Sequence, residues 1–214
     1  MIGNIQMNKL IVAGIVALFA TSANADWKSS CGSNYDRNGD NFSFTVEKDS
    51  IGGCPSDKKS YQYVRYSITH SERSEVKSSR DLTPGVYLWS ADIVIDRACE
   101  QPAQRNTLFQ VHDGRSSGAP PSWFGINEYN SFRTHDQNYS IKPVPEKNKF
   151  NLESKITFKD KRIDVDYFVD GELVASTTGF QKGDQMYLKF GVYRVNSKCT
   201  ITQTYNNVTI RKVE

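Results

Sequence analysis

Tyr187-Leu188-Lys189-Phe190-Gly191-Val192-Tyr193 alternates polar and apolar side chains along its length, the period of a strand and not of a helix. Arg73-Ser74-Glu75-Val76-Lys77 and Gln110-Val111-His112 repeat the pattern. Read as strands, the three send Arg73, Glu75, Lys77, Gln110, His112, Tyr187, Lys189 and Tyr193 to one face, and Val76, Val111, Leu188, Phe190 and Val192 to the other. The apolar face belongs in a core.

Outward from these stretches, helical periodicity is hard to find beyond residue 26. Short alternating runs bounded by Gly, Pro, Asn, Asp and Ser recur instead. Strands are expected at 42–47, 61–69, 73–78, 85–95, 107–112, 123–128, 150–158, 162–169, 172–177, 185–194 and 200–213. Asp170-Gly171 marks a tight hairpin, because a Gly at positive φ matches the twist of paired strands, and Lys159-Asp160-Lys161 joins two further runs. Many strands of this length predict an all-β, two-sheet antiparallel sandwich or jelly roll with one concave polar sheet.

The first residues read as a leader. Lys9 precedes the apolar run Leu10 to Ala20, and Ala23-Asn24-Ala25 has the small-x-small pattern of a secretory cleavage site. Residues 1–25 are therefore expected to be a signal peptide and 26–214 a single domain, secreted or periplasmic and not membrane-bound. Four cysteines remain, Cys31, Cys54, Cys99 and Cys199, and export favours disulfides. Four cysteines allow three pairings; proximity favours Cys31-Cys54, which leaves Cys99-Cys199. With no CxxC spacing, no metal site is expected. Lys plus Arg number 27 against 24 Asp plus Glu, a net +3 too modest to imply a polyanion partner by itself, and no nucleic-acid-binding pattern occurs. What counts is whether the cations converge on one face.

The polar face has the groups that β-elimination on a uronic-acid polymer demands. The proton removed lies α to a carboxylate, so a second negative charge develops beside the first and must be neutralised. A guanidinium pairs with a carboxylate, and an amide or imidazole N–H can hydrogen-bond the developing dianion. Arg73, Gln110 and His112 have those groups. A base must take the proton and an acid must protonate the departing oxygen. Tyrosine, with a reference pKa of about 10, needs neighbouring positive charge to act as a base, and Lys189 lies on the face of Tyr193. Histidine needs no such help. The residues alone leave both His112 and Tyr193 open as the base.

These three stretches resemble the boxes of alginate lyases of polysaccharide lyase family seven. Arg73 to Lys77 is similar to the family's R-(S/T)-E-(L/V)-R box, Gln110 to His112 to its Q-(I/V)-H box, and Tyr187 to Val195 to its Y-F-K-A-G-V-Y-N-Q box, in the same order. The resemblance implies a β-jelly roll of the concanavalin type, active as a monomer on an acidic polysaccharide and needing no metal or organic cofactor. It implies that Arg73 and Gln110 neutralise the carboxylate, that His112 is base or neutraliser, and that Tyr193 is acid or acid-base. Glu75, Lys77, Tyr187, Lys189 and Arg194 would contact substrate. Lys77, Phe190 and Arg194-Val195 depart from the boxes, so the polymer could be alginate or a relative such as glucuronan.

Other residues carry weaker signals. Trp89, Trp123, Phe124 and Tyr129 are candidates to stack on sugars, with core packing an equal reading for Trp89. His70 and His135 belong to no box. The run Asp113 to Pro121 after His112 is either a loop that closes over substrate or an ordinary connection. Asp36 to Asp40 reads as an Asx-type turn, with a structural Ca²⁺ held by Asp36, Asn38 and Asp40 as the alternative, and Glu128 lacks the second nearby carboxylate of a retaining glycosidase. Two other readings remain open, a non-catalytic carbohydrate-binding module and a structural envelope protein with an unrelated sandwich.

Overall fold

The computed structural model describes residues 26–31, 35–47, 71–97, 105–115, 119–136, 140–195 and 199–214. Among them lie thirteen strands and no helix: β1 (Trp27–Cys31), β2 (Tyr35–Asn38), β3 (Asn41–Val46), β4 (Ser71–Ser78), β5 (Gly85–Arg97), β6 (Arg105–His112), β7 (Ser122–Asn127), β8 (Phe132–Thr134), β9 (Lys149–Lys159), β10 (Arg162–Val169), β11 (Glu172–Phe180), β12 (Tyr187–Val195) and β13 (Ile201–Lys212). One sheet has the order β1-β4-β12-β6-β7-β8 and the other β11-β10-β9-β5-β13-β3-β2. Every pairing is antiparallel. Neighbours in a sheet are mostly distant in sequence, the crossing pattern of a jelly-roll sandwich.

Alternation builds the core between the sheets. In β9 and β10 the residues Phe150, Leu152, Ile156, Ile163, Val165 and Tyr167 face inward, while Glu153, Lys155 and Arg162 face water. Phe190 of β12 is the hub: its ring lies 4.8 Å from Trp27, 5.1 Å from Phe42, 5.7 Å from Phe44 and 5.0 Å from Tyr205, with the first three edge-on. Edge-to-face pairs of this kind add to the burial of apolar area. The departure of Phe190 from the family box is thus a matter of core packing.

The Asp170-Gly171 hairpin has both residues at positive φ, 51° and 80°, as expected of a tight turn. Asp160 and Lys161 adopt the same conformation between β9 and β10. Asp36 and Asn38 belong to β2, which turns at Gly39-Asp40 into β3. Ten of the expected strands are present with ends shifted by at most three residues; the expected strand 61–69 lies outside the described residues. β1, β2 and β8 were not expected. They are edge strands of three to five residues, too short to show a period.

Cys199 is buried and disulfide-bonded, and no described cysteine is free. Cys54 and Cys99, one partner in each expected pair, lie outside the described residues, as does the leader 1–25.

Two of the three register shifts in the six-stranded sheet shape its polar face. Between β6 and β7 the register slips across Thr107 and Phe109, and between β6 and β12 it slips across Phe190 and Tyr193. The first puts two consecutive side chains, Leu108 and Phe109, into the core with no exposure. A bulge reverses the alternation beyond it. Arg105 and Thr107 therefore come to the same face as Gln110 and His112.

Candidate functional site

The three polar stretches are adjacent strands, with β12 between β4 and β6. Their register sets Arg73 opposite Tyr193, Lys189 opposite both Lys77 and Gln110, and Tyr187 opposite His112. Beneath them Val76, Val111, Leu188, Phe190 and Val192 are fully buried. On the polar face a pocket of about 290 Å³ is lined by Arg73, Gln110, His112 and Tyr193, together with Arg105, Thr107 and Trp123. Ala119 and Pro120 close one side. The four residues expected to carry chemistry thus share one cavity.

Tyr193 is flanked by cations. The Arg73 guanidinium stands 4.2 Å and that of Arg105 5.0 Å from its ring centre. Lys189, expected to serve Tyr193, is engaged elsewhere: its Nζ is 4.0 Å from a Glu75 carboxylate oxygen and 5.9 Å from the Tyr187 ring. Lys77 also approaches Tyr187, at 5.2 Å. The positive charge beside Tyr193 therefore comes from two arginines.

Glu75 departs from its expected role. It is 1% exposed and accepts a hydrogen bond from Gln110 Nε2. A buried carboxylate under a basic groove does not meet an anionic substrate; it fixes the amide of Gln110 and neutralises Lys189. Gly191 lies directly opposite Glu75, at φ 132°, and a side chain there would run into the Ser74 carbonyl. The close approach of β12 to β4 therefore requires glycine.

His112 stacks on Tyr187, with ring centres 5.0 Å apart and planes 14° from parallel. Its Nδ1 accepts a hydrogen bond from the Gly114 backbone N–H at 3.1 Å. In the neutral ring the hydrogen then sits on Nε2. Burial, followed by the positive charge of Lys189, lowers the His112 pKa to about 4, with Arg115 and Arg73 adding to the effect and Asp113 opposing it. His112 is therefore a neutral imidazole at ordinary pH.

The start of the loop after His112 is anchored. Asp113 is fully buried and accepts from Arg115 Nε at 2.8 Å and from the Lys182 and Gly183 N–H groups at 2.8 and 3.2 Å. Burial alone would raise its pKa, but these hydrogen bonds hold it down at about 2. A Cβ at Gly183 would overlap the Asp113 carbonyl, so the close approach requires glycine. Gly114 is thereby fixed where its N–H meets His112.

Arg194 faces away from the groove. It follows Tyr193 on the opposite side of β12, is fully buried, and donates to the Glu47 carbonyl at 2.6 Å. The expected substrate contact is corrected to an internal anchor for β3. Trp89 and Phe124 are core residues, and Tyr129 is 75% exposed. His135 pairs with Asp136 at 2.6 Å, and His70 lies outside the described residues. Arg105 and Thr107 were missed because strict alternation from Gln110 assigns both to the core. A polar Arg-Asn-Thr run ahead of the consecutive apolar pair Leu108-Phe109 was the available signal for a bulge.

No family model matches the sequence, and no curated protein matches it by sequence. Solved structures share the fold. The alginate lyase AlyC3 is 13% identical, with 81% of this chain and 75% of that one covered at a TM-score of 0.49. The alginate lyase AlyA1 from Zobellia galactanivorans, of family PL7, is 12% identical over 89% and 96% of the chains at 0.49. A Trypanosoma rangeli sialidase is 14% identical over 91% of this chain but only 30% of its own, at 0.52. At such identities the likeness is one of fold alone.

Proposed function

We propose that the protein is a polysaccharide lyase that cleaves a 1,4-linked uronic-acid polymer, alginate or a glucuronan-like chain, by β-elimination. The observation that carries this reading is the convergence of Arg73, Gln110, His112 and Tyr193 on one pocket in a basic groove. The resemblance of the three ordered boxes to those of alginate lyases supports it. The expected export signal and cysteines fit action outside the cytoplasm.

In this reading Arg73 pairs with the carboxylate of the sugar being cleaved, and Gln110, braced by Glu75, donates an amide N–H to it. His112 contributes the Nε2 hydrogen to the same developing dianion, because its Nδ1 is already an acceptor for Gly114. The hydrogen-bonded imidazole neutralises charge, and the base is Tyr193. Acting as the phenolate, its oxygen takes the C5 proton, the electron pair forms the C4–C5 double bond, and the C4–O bond breaks. The proton then passes to the leaving oxygen. Arg73 and Arg105, set against the ring, stand beside the dianion that develops while the proton moves.

The test is ultraviolet absorbance of the 4,5-unsaturated uronate during incubation of the purified protein with alginate, polymannuronate, polyguluronate and glucuronan. A rise lost in Tyr193→Phe supports the reading. Binding without any rise on the whole panel would replace it with a carbohydrate-binding module.

A further inference from the structure

Trp123 is engaged by two guanidiniums, Arg105 at 5.4 Å and Arg133 at 5.3 Å from its ring. Arg105 also reaches Tyr193, whose other neighbour is Arg73. Cations and rings thus alternate across the sheet in the order Arg73, Tyr193, Arg105, Trp123, Arg133, over strands β4, β12, β6, β7 and β8. The backbone draws the same line: Arg73 is opposite Tyr193, Tyr193 opposite Thr107, Thr107 opposite Gly125, and Gly125 opposite Arg133. Trp123 is 5% exposed yet stands outside the core cluster between the sheets. Two arginines flank its ring on the groove face.

The Arg105 Nε is buried and has no hydrogen-bond partner among the described residues. Burial lowers the Arg133 pKa and the nearby charge of Arg105 lowers it further, partly offset by Glu128. A carboxylate bridging the two guanidiniums would supply planar acceptors for two forks and cancel the repulsion. Arg73 and Arg133 are four strand spacings apart, roughly 19 Å. That separation is too large for one sugar carboxylate to serve both ends.

We propose that Arg105 and Arg133, held by Trp123, form a second carboxylate subsite, so that the groove binds a polymer with acidic groups on sugars beyond the one being cleaved. This rests on reading the groove as a polyuronate site. It selects continuous polyuronates over chains that carry isolated acidic sugars among neutral ones.

The experiment is calorimetric titration of a Tyr193→Phe protein, which holds substrate without turnover, with uronate disaccharides and hexasaccharides and with hexasaccharides whose carboxyls are reduced to alcohols. The same ligands are titrated into Tyr193→Phe carrying Arg133→Gln or Arg133→Lys, with thermal melts to check folding. A bidentate charged contact predicts that Arg133→Gln cuts the hexasaccharide-to-disaccharide affinity ratio by about tenfold to a hundredfold. Arg133→Lys should recover only part of it, and the reduced hexasaccharide should lose the same advantage. An unchanged ratio in Arg133→Gln overturns the second subsite while leaving the lyase reading intact, and a reduced hexasaccharide that binds as well as the acidic one overturns both. No binding of any uronate by the Tyr193→Phe protein overturns both.

Discussion

The guanidinium of Arg73 lies 4.2 Å above the ring of Tyr193, its direct cross-strand partner. A stacked guanidinium still directs its N–H groups outward from the plane, so Arg73 can pair with a carboxylate while its charge stays beside the tyrosine. In the proposed reaction the pair therefore couples substrate neutralisation to proton abstraction.

Removing only the phenolic oxygen separates chemistry from packing. Tyr193→Phe keeps the ring under Arg73 and Arg105, so the melting temperature should hold and KM should change little. The turnover number should fall by roughly 10²–10⁴, the usual contribution of a positioned acid-base group. Steady-state kinetics by ultraviolet absorbance checks this. A variant that keeps more than a tenth of the activity would hand the base to another group.

The depressed pKa of His112 makes a pH prediction. Since His112 titrates at about 4 in the folded protein, its ring should show no protonation step between pH 5.5 and 7.5 when followed by NMR, and the free enzyme should show no histidine limb in kcat/KM there. The stability consequence has a definite sign. Above the unfolded value of about 6.5 both states are neutral at this site and it contributes no pH dependence. As pH falls from about 6.5 towards 4 the unfolded chain gains a proton that the folded chain refuses, so stability declines, and it levels off at this site below about 4. A His112 step near 6.5 in the native protein would contradict the burial that lowers it.

Much of this was legible in the sequence because alternation is a local property. Arg73, Gln110, His112 and Tyr193 each stand two or four residues from another polar residue in the same strand, so period two sufficed to put them on one face. Three things were not legible. Arg105 and Thr107 reach the groove only because Leu108 and Phe109 both turn inward, a slip that depends on how β6 pairs with β7. Glu75 seemed a groove residue from parity, which reports direction but not depth; its burial depends on Gln110 and Lys189 closing over it. Arg194 was assigned from the box and not from the period, and the period was the better guide, since it sends Arg194 with Phe190 and Val192 to the far side.

Phe190 tests whether a departure from the family box touches the groove. The ring is unexposed and meets Trp27, Phe42, Phe44, Trp89 and Tyr205. Phe190→Ala should cost about 3–5 kcal/mol and lower the melting temperature by roughly 10 °C, through lost contacts and the cavity left behind. Its effect should appear as instability, with substrate preference unchanged when the variant is assayed well below its melting temperature. A changed preference among alginate, polymannuronate and glucuronan would show that this position reaches the groove after all.

Tyr205 is where the second sheet holds the shape of the first. Its hydroxyl, on β13, is 3.0 Å from the Leu108 carbonyl and 3.1 Å from the Gly191 carbonyl, one at each bulge, and 2.7 Å from Gln203 Oε1. Bulges leave backbone groups without ladder partners, and this phenol reaches both from beneath. Tyr205→Phe should cost about 1–3 kcal/mol for the buried acceptors left behind. Because those bulges set the directions of Arg105, Thr107 and Tyr193, it should also lower kcat more than it raises KM. Tyr167 supplies the control: it is equally buried, its hydroxyl meets Ser122 at 2.6 Å, and it touches neither bulge carbonyl. Tyr167→Phe should lower the melting temperature by a similar amount and leave kcat unaltered. Equal losses of kcat in the two variants would mean that the hydroxyl of Tyr205 acts through general stability alone.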